Sequence, residues 1–270
     1  MEMPVFNRFR ELIHRQSGIS LSDEKRALLE NRIARRLRAL NISSEREYLE
    51  VVELDATGEE LVELVDAVTT NVTAFYREPA HFRFLEQWAR SEGVSRQRIR
   101  FWCAASSSGE EPYTIAMTVA ENLDLARHDF RLLATDICTG VLRTAARARY
   151  QQRQLKDVPP GILPKYFRRV ETDTERNFEV VPLIRNLVAF RKLNLAEVPF
   201  GLKPGLDMIF CRNVMIYFDL TLRARLIRHF HELLAPGGYL VIGHSENLLG
   251  IEHSFQSVQT GVYHKTTGLR

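Results

Sequence analysis

The stretch Asp207-Met-Ile-Phe-Cys-Arg-Asn-Val-Met-Ile-Tyr-Phe218 opens as an apolar strand, Met208 to Cys211, and closes in a polar turn, Arg212-Asn213, with Tyr217 one helical step further on. Open α/β sheets bind ligands outside the carboxyl ends of their strands. Arg212, Asn213 and Tyr217 therefore stand where a small molecule would meet a second reactant. A core strand with a polar stop accounts for this segment alone equally well. Four other segments with similarly polar ends favour the chemical reading.

The first of these is Cys103-Ala-Ala-Ser-Ser-Ser-Gly109-Glu-Glu-Pro-Tyr113, a strand-to-helix loop. A dinucleotide fold would place G-x-G-x-x-G here so that the backbone could approach a pyrophosphate. This loop has one glycine, Gly109, and two consecutive carboxylates, which are poor neighbours for phosphate. They suit a ligand with a positive centre, such as the amino group and sulfonium of S-adenosylmethionine. At least one of Glu110 and Glu111 is accounted for by the helix N-terminus alone; Glu111 is the candidate ligand. Asp136 ends the next strand, about where an acidic residue binds ribose hydroxyls, although a lone strand-end aspartate also serves as a helix cap. Thr69-Thr-Asn-Val-Thr-Ala-Phe-Tyr-Arg-Glu78 has no glycine and mixes aromatics with hydroxyls and an arginine, an odd composition for a plain linker. Its Asn71, Thr73 and Arg77 could project into a cleft. Asn194-Leu195 is a further strand-end pair, weak alone.

These segments need a scaffold, and the hydrophobic spacing supplies one. Residues 5 to about 68 keep helical periodicity, with Ser44-x-x-Glu47 in the form of a capping box. From Arg98 onward strands and helices alternate, as in a doubly wound parallel sheet. Expected strands are Ile99–Ala104, Phe130–Thr135, Leu187–Phe190, Met208–Cys211, Tyr239–Ile242 after a Pro236-Gly-Gly238 turn, and Gly261–His264. Between Tyr150 and Asn186 the pattern breaks around Pro159-Pro-Gly161 and Phe178–Val181, which indicates a small β-rich insertion. The expected domains are 1–68 (helical), 69–97 (linker and ligand-contacting segment) and 98–270 (α/β), with the insertion at about 151–192.

At 270 residues, 45% hydrophobic and 26% charged, the chain has an ordinary globular composition. No apolar run approaches the roughly 20 residues that span a bilayer, and the first residues do not read as a secretory signal. Cys103, Cys138 and Cys211 lack metal-ligand spacing and lie in or just after apolar strands, so a reducing, cytoplasmic setting and no metal are expected. A net charge of +3 is too small to argue for nucleic acid. It is unevenly spread, however. Between Asp23 and Leu40 lie Lys25, Arg26, Arg32, Arg35, Arg36 and Arg38, and Lys25, Arg32 and Arg36 project within roughly 40° of one another on a helix. This is either a solvated face or a docking surface for an acidic partner.

Taken in order, TTNVTAFYREPAHF (69–82), FWCAASSSGEEPYTIAM (101–117), ATDI (134–137), LNL (193–195), DMIFCRNVMIYFD (207–219) and PGGYLVIGHSEN (236–247) resemble the chemotaxis receptor methyltransferase (CheR) family. The N-terminal KRALLENRIARRLRAL (25–40) is similar too. The resemblance covers both expected domains, and CRNVMIYF with TTNxTxF is highly specific. It implies a Rossmann-like S-adenosylmethionine-dependent methyltransferase sheet with a small β-subdomain, preceded by an all-helical domain. The implied reaction methylates glutamates on the cytoplasmic helices of chemoreceptors, giving γ-glutamyl methyl esters for sensory adaptation and S-adenosylhomocysteine as product. Carried onto matching positions, the cofactor contacts are Asn71, Thr73, Arg77, Glu111, Asp136, Asn194, Leu195, Arg212 and Asn213. Arg77 and Tyr217 are the candidates for orienting the acceptor carboxylate. Lys25, Arg32, Arg36 and Arg38 are implied to dock the receptor's acidic helices, and a monomer without membrane insertion is expected.

The chain departs from the family in one telling place. Some members bind a short receptor C-terminal peptide at a glycine-bearing turn, whereas the hairpin Arg168–Asn177 here is charged and lacks glycine, which leaves that tether open. The chain also stops soon after its last strand, without the helical-repeat tail of some relatives. Three rival readings fit less well. A nucleic-acid methyltransferase needs aromatics interleaved with the basic residues, and the Asp23–Leu40 helix has none. A non-catalytic cofactor-binding module would not need Arg77 and Tyr217. An NAD-dependent dehydrogenase would carry glycines that this chain lacks.

Overall fold

The computed structural model describes residues 1–171 and 176–266, with Glu171 and Arg176 described by backbone alone. The turn of the charged hairpin, Thr172 to Glu175, lies outside the described residues.

Four helices come first: α1 (Met3–Ser17), α2 (Arg26–Leu40), α3 (Glu45–Leu54) and α4 (Glu59–Val68). Ser44 caps α3 by accepting the Glu47 N–H at 3.2 Å, but Glu47 reaches back to Ser43 rather than Ser44, so the capping box is only half formed. Phe6, Phe9, Ile13, Leu29, Ile33, Tyr48 and Leu64 are fully or almost fully buried among these helices. Each such side chain contributes about 1.5–3 kcal/mol relative to exposure.

The segment expected to be a linker contains a helix, α5 (Pro79–Ser91), which starts on Pro79 and turns Phe82, Leu85 and Trp88 onto the sheet. Then follow β1 (Arg98–Cys103), α6 (Glu110–Asn122), β2 (Asp129–Asp136), α7 (Thr139–Arg147), β3 (Arg149–Gln151), α8 (Leu163–Tyr166), β4 (Phe167–Glu171), β5 (Arg176–Val180), α9 (Pro182–Arg185), β6 (Val188–Lys192), β7 (Leu206–Cys211), α10 (Leu220–Leu233), β8 (Leu234–Ile242), β9 (Phe255–Gln259) and β10 (Val262–Lys265).

The large sheet has seven strands in the order β6-β2-β1-β7-β8-β10-β9. It is mixed rather than wholly parallel: β6, β2, β1, β7 and β8 run parallel, while β10 is antiparallel to both β8 and β9. The order reverses between β1 and β7, the switch point at which such sheets bind ligands. Central strands are buried on both faces. Ile99, Phe101, Met208 and Phe210 face α5, α6 and the insertion, whereas Trp102, Ile209 and Ile242 face α10 and the N-terminal helices. The helical part thus shares one core with the sheet.

Two boundaries differ from expectation. The insertion is a three-stranded antiparallel sheet, β3-β5-β4, beginning at Arg149, and β6 belongs to the large sheet because Val188–Lys192 pairs with Leu132–Asp136. Pro236-Gly-Gly238 is not a turn before a strand. It lies inside β8, where Gly237 takes φ 76° and the register to β7 shifts.

Candidate active site

Every strand-end segment singled out above lines one cleft of about 280 Å³ at the carboxyl edge of the sheet. Asn71, Thr73 and Arg77 line it from the segment before α5, Glu111 from α6 and Asp136 from the end of β2. Asn194 and Leu195 come after β6, and Arg212, Asn213 and Tyr217 after β7. The end of α1, the start of α2 and the connection between them add Ser17, Ile19, Ser20, Leu21, Lys25 and Leu28, which sequence reasoning did not assign to the cleft. That connection is held by backbone bonds. The Ser20 N–H donates to the Tyr217 carbonyl at 2.8 Å, and Ile19 forms a bridge with Phe218.

Arg212 is the electrostatic centre. Its side chain is 0% exposed and donates to Glu111 at 2.6 Å, to Glu78 at 3.0 Å and to the Arg77 carbonyl at 2.5 Å, with Phe82 against its cationic face. Burial pulls the guanidinium's pKa down, but Glu111 and Glu78 outweigh it and the net shift is upward. Glu111 also accepts from the Cys103 thiol at 3.4 Å. Glu78 is pushed up by burial, yet hydrogen bonds from Asn213 and the charge of Arg212 hold it down at about 2.

Asp136 accepts the Ser107 N–H at 2.8 Å and the Cys138 N–H at 3.0 Å, and burial pushes its pKa up. Ser107, another residue that sequence reasoning missed, links this aspartate to the Asn71 carbonyl through its hydroxyl at 3.0 Å. Asn194 is turned inward: its amide donates to the Gln16 carbonyl at 2.7 Å, tying the β6 edge to α1. Arg77 sits at the mouth, where its guanidinium donates to the Val72 carbonyl at 2.7 Å; it forms no ion pair among the described residues. Tyr76, Glu78, Ser107 and Asn213 all take positive φ, between 46° and 58°. Such conformations persist only where the surroundings enforce them, and they cluster at functional sites.

The proposed docking residues separate into two pairs. Lys25 and Arg38 are exposed. Arg32 instead donates to the Ala67 and Thr69 carbonyls at 3.1 Å, closing the end of α4, and Arg36 is paired with Glu60 at 2.7 Å and Glu63 at 3.0 Å. Two of the four docking candidates are thus engaged within the helical region, Arg36 by the acidic side chains of α4 and Arg32 by carbonyls at its end.

The donor set fits S-adenosylmethionine. The two Asp136 oxygens keep acceptor capacity for hydroxyls, and Glu111 can accept from an ammonium. Arg212 Nε is buried without a partner among the described residues, a donor in want of an acceptor such as a carboxylate. Val68, Ile137, Leu195 and Phe218 offer apolar walls for a flat base. Among the described residues, one group of metal-ligand-type atoms, on Glu78, His81 and His244, lies within 4.8 Å of one another. The guanidinium of Arg212 on the same carboxylate makes it hostile to a cation.

Fold and cleft together define an S-adenosylmethionine-dependent methyltransferase. Residues 4–69 match the CheR methyltransferase all-alpha domain, and residues 71–264 match the CheR methyltransferase SAM binding domain. The chain is 40% identical over 258 residues to chemotaxis protein methyltransferase 2 of Pseudomonas aeruginosa, covering 96% of this chain and 91% of that protein. It is also 40% identical to the chemotaxis protein methyltransferase of Salmonella typhimurium, covering 96% and 88%. The chain belongs to the CheR family of chemotaxis methyltransferases.

Proposed function

We propose that this chain methylates glutamate side chains on the cytoplasmic helices of chemoreceptors, giving γ-glutamyl methyl esters. The observation that carries this reading is the single cleft lined by Asn71, Thr73, Arg77, Glu111, Asp136, Asn194, Leu195, Arg212, Asn213 and Tyr217. When bound, S-adenosylmethionine supplies a methyl group already activated by its sulfonium. The acceptor glutamate is ionised at neutral pH, so the protein has no proton to remove. Its residues need only hold the carboxylate in line and shed its water.

Arg77 suits the holding role, because its guanidinium is at the mouth, is held by one carbonyl, and has donors left for a charge-assisted bond. Tyr217, half-buried, lines the same cleft with a hydroxyl that can donate to the acceptor. Ile19, Leu21 and Leu28 form an apolar rim that displaces water as an acceptor helix settles. Lys25 and Arg38 supply the exposed charge for acidic receptor helices, while Arg32 and Arg36 brace α2.

The test is Arg77→Ala. A lost charge-assisted bond of about 1.5–3 kcal/mol predicts methyl transfer reduced roughly ten- to a hundredfold, measured at saturating S-adenosylmethionine so that any loss of cofactor affinity does not enter. Near-normal turnover would remove Arg77 from the mechanism.

A further inference from the structure

Two carboxylates that do not line the cleft converge on the turn that does. Glu78 Oε1 accepts the Asn213 side-chain amide at 3.0 Å, while Oε2 accepts from Arg212 at 3.0 Å and from the His244 N–H at 3.1 Å. Glu246, buried, takes the main chain of the same turn. It accepts the N–H groups of Gly243 at 2.6 Å, Asn213 at 2.8 Å and Val214 at 3.1 Å. Asn213 and Glu78 are both held at positive φ, 57° and 58°. The space is closed by Gly243, where a Cβ would lie 2.5 Å from the Asn213 amide nitrogen and 2.8 Å from Glu246 Oε2.

We propose that Glu78 and Glu246 are positioning residues for methyl transfer, a two-carboxylate clamp that fixes the Arg212-Asn213 turn and the Tyr217 that follows it. The proposal rests on the function assigned above. The two arms act on different poles of the cleft. Glu78 orients the side chains of Arg212 and Asn213, which face the cofactor. Glu246 holds the backbone from which the short turn Met215–Tyr217 rises, and so aims Tyr217 at the acceptor. It also gathers three N–H donors that no secondary-structure partner satisfies, and an amide in its place would set an NH₂ against one of them.

The test is Glu78→Gln and Glu246→Gln in the full chain, with S-adenosylhomocysteine affinity by calorimetry, turnover with a receptor cytoplasmic fragment, and thermal midpoints. Glu78→Gln is expected to weaken affinity by roughly tenfold or more, with kcat at saturating cofactor nearly kept. Glu246→Gln is expected to lower kcat roughly tenfold, with affinity changed only slightly; both magnitudes are those of a lost charge-assisted bond. Glu78→Asp, which keeps the charge one methylene further back, should recover part of the affinity and guards against a fold defect in the amide variant. Lower thermal midpoints with wild-type affinity and kcat in the folded fraction would overturn the clamp, as would equal losses of both parameters in both amide variants. If the wild type binds S-adenosylhomocysteine but methylates no receptor fragment, the functional assignment fails, while the affinity of Glu78→Gln still decides the Glu78 arm.

Discussion

A guanidinium with no exposed side-chain surface requires its charge to be answered, and Arg212 is answered twice, by Glu111 and Glu78. Removing either partner of such a pair typically costs about 3–5 kcal/mol, because the other charge is left buried and alone. The Glu78 arm makes a pH prediction whose sign follows from its depressed pKa. The folded value of about 2 lies below the ordinary 4.5, so this contribution is fully present above pH 4.5 and is lost as pH falls toward about 2. Asp136 and Glu246, raised by burial, shift in the opposite sense. The informative quantity is therefore a difference. Thermal midpoints of Glu78→Gln should fall less steeply than those of the wild type across that window, and parallel curves would contradict the assignment. Arg212, Asn213 and Asp136 could be picked from the sequence because a polar residue that ends an apolar strand stands at the sheet edge where ligands bind. Glu78, Ser107 and Glu246 could not, since their roles depend on partners that only the fold brings close: Asn213 for Glu78, Asp136 for Ser107, and Asn213 again for Glu246.

At the scale of elements, the loop between β1 and α6 shows why one glycine suffices where a dinucleotide fold needs three. Gly109 takes φ 99°, and a Cβ there would sit 2.7 Å from the Tyr150 hydroxyl and 2.9 Å from Ala145 Cβ. Gly109→Ala is expected to destabilise the protein by about 1–3 kcal/mol through strain and overpacking, read as a lower denaturant midpoint at unchanged slope. Elements with strong periodicity, α1 to α4 and the central strands, were legible because buried strands and amphipathic helices leave unmistakable spacing. The helix α5 was hidden by the polar segment before it. β9, an edge strand, was hidden because Phe255 alone of its five residues is buried, and Gln256, Ser257 and Gln259 leave no apolar alternation to read. The β8 bulge reads as a turn in sequence because Pro236 and Gly237 serve both purposes.

At the scale of the whole molecule, the helical region is more than an appendage: its α1–α2 connection forms part of the cleft wall and its apolar faces join the sheet's core. The sequence shows the positive charge of α2 but not which charges are spent internally, because the acidic partners lie on α4. A charge reversal at Arg38, which is exposed and does not line the cleft, should therefore raise the KM for a receptor fragment, more so at low salt, while leaving S-adenosylhomocysteine affinity and stability nearly unchanged. Arg36→Ala should instead lower the thermal midpoint. An Arg36→Ala protein of normal stability but poor receptor binding would reverse this division.

The central claim, ester formation on receptor glutamates, is tested most directly by mass spectrometry. A chemoreceptor cytoplasmic fragment would be incubated with this protein and S-adenosylmethionine, then split into portions with and without mild alkali. Methyl groups on glutamates that disappear with alkali are the predicted result. Methylation that survives alkali or falls on other residues, or none despite measurable cofactor binding, would contradict it.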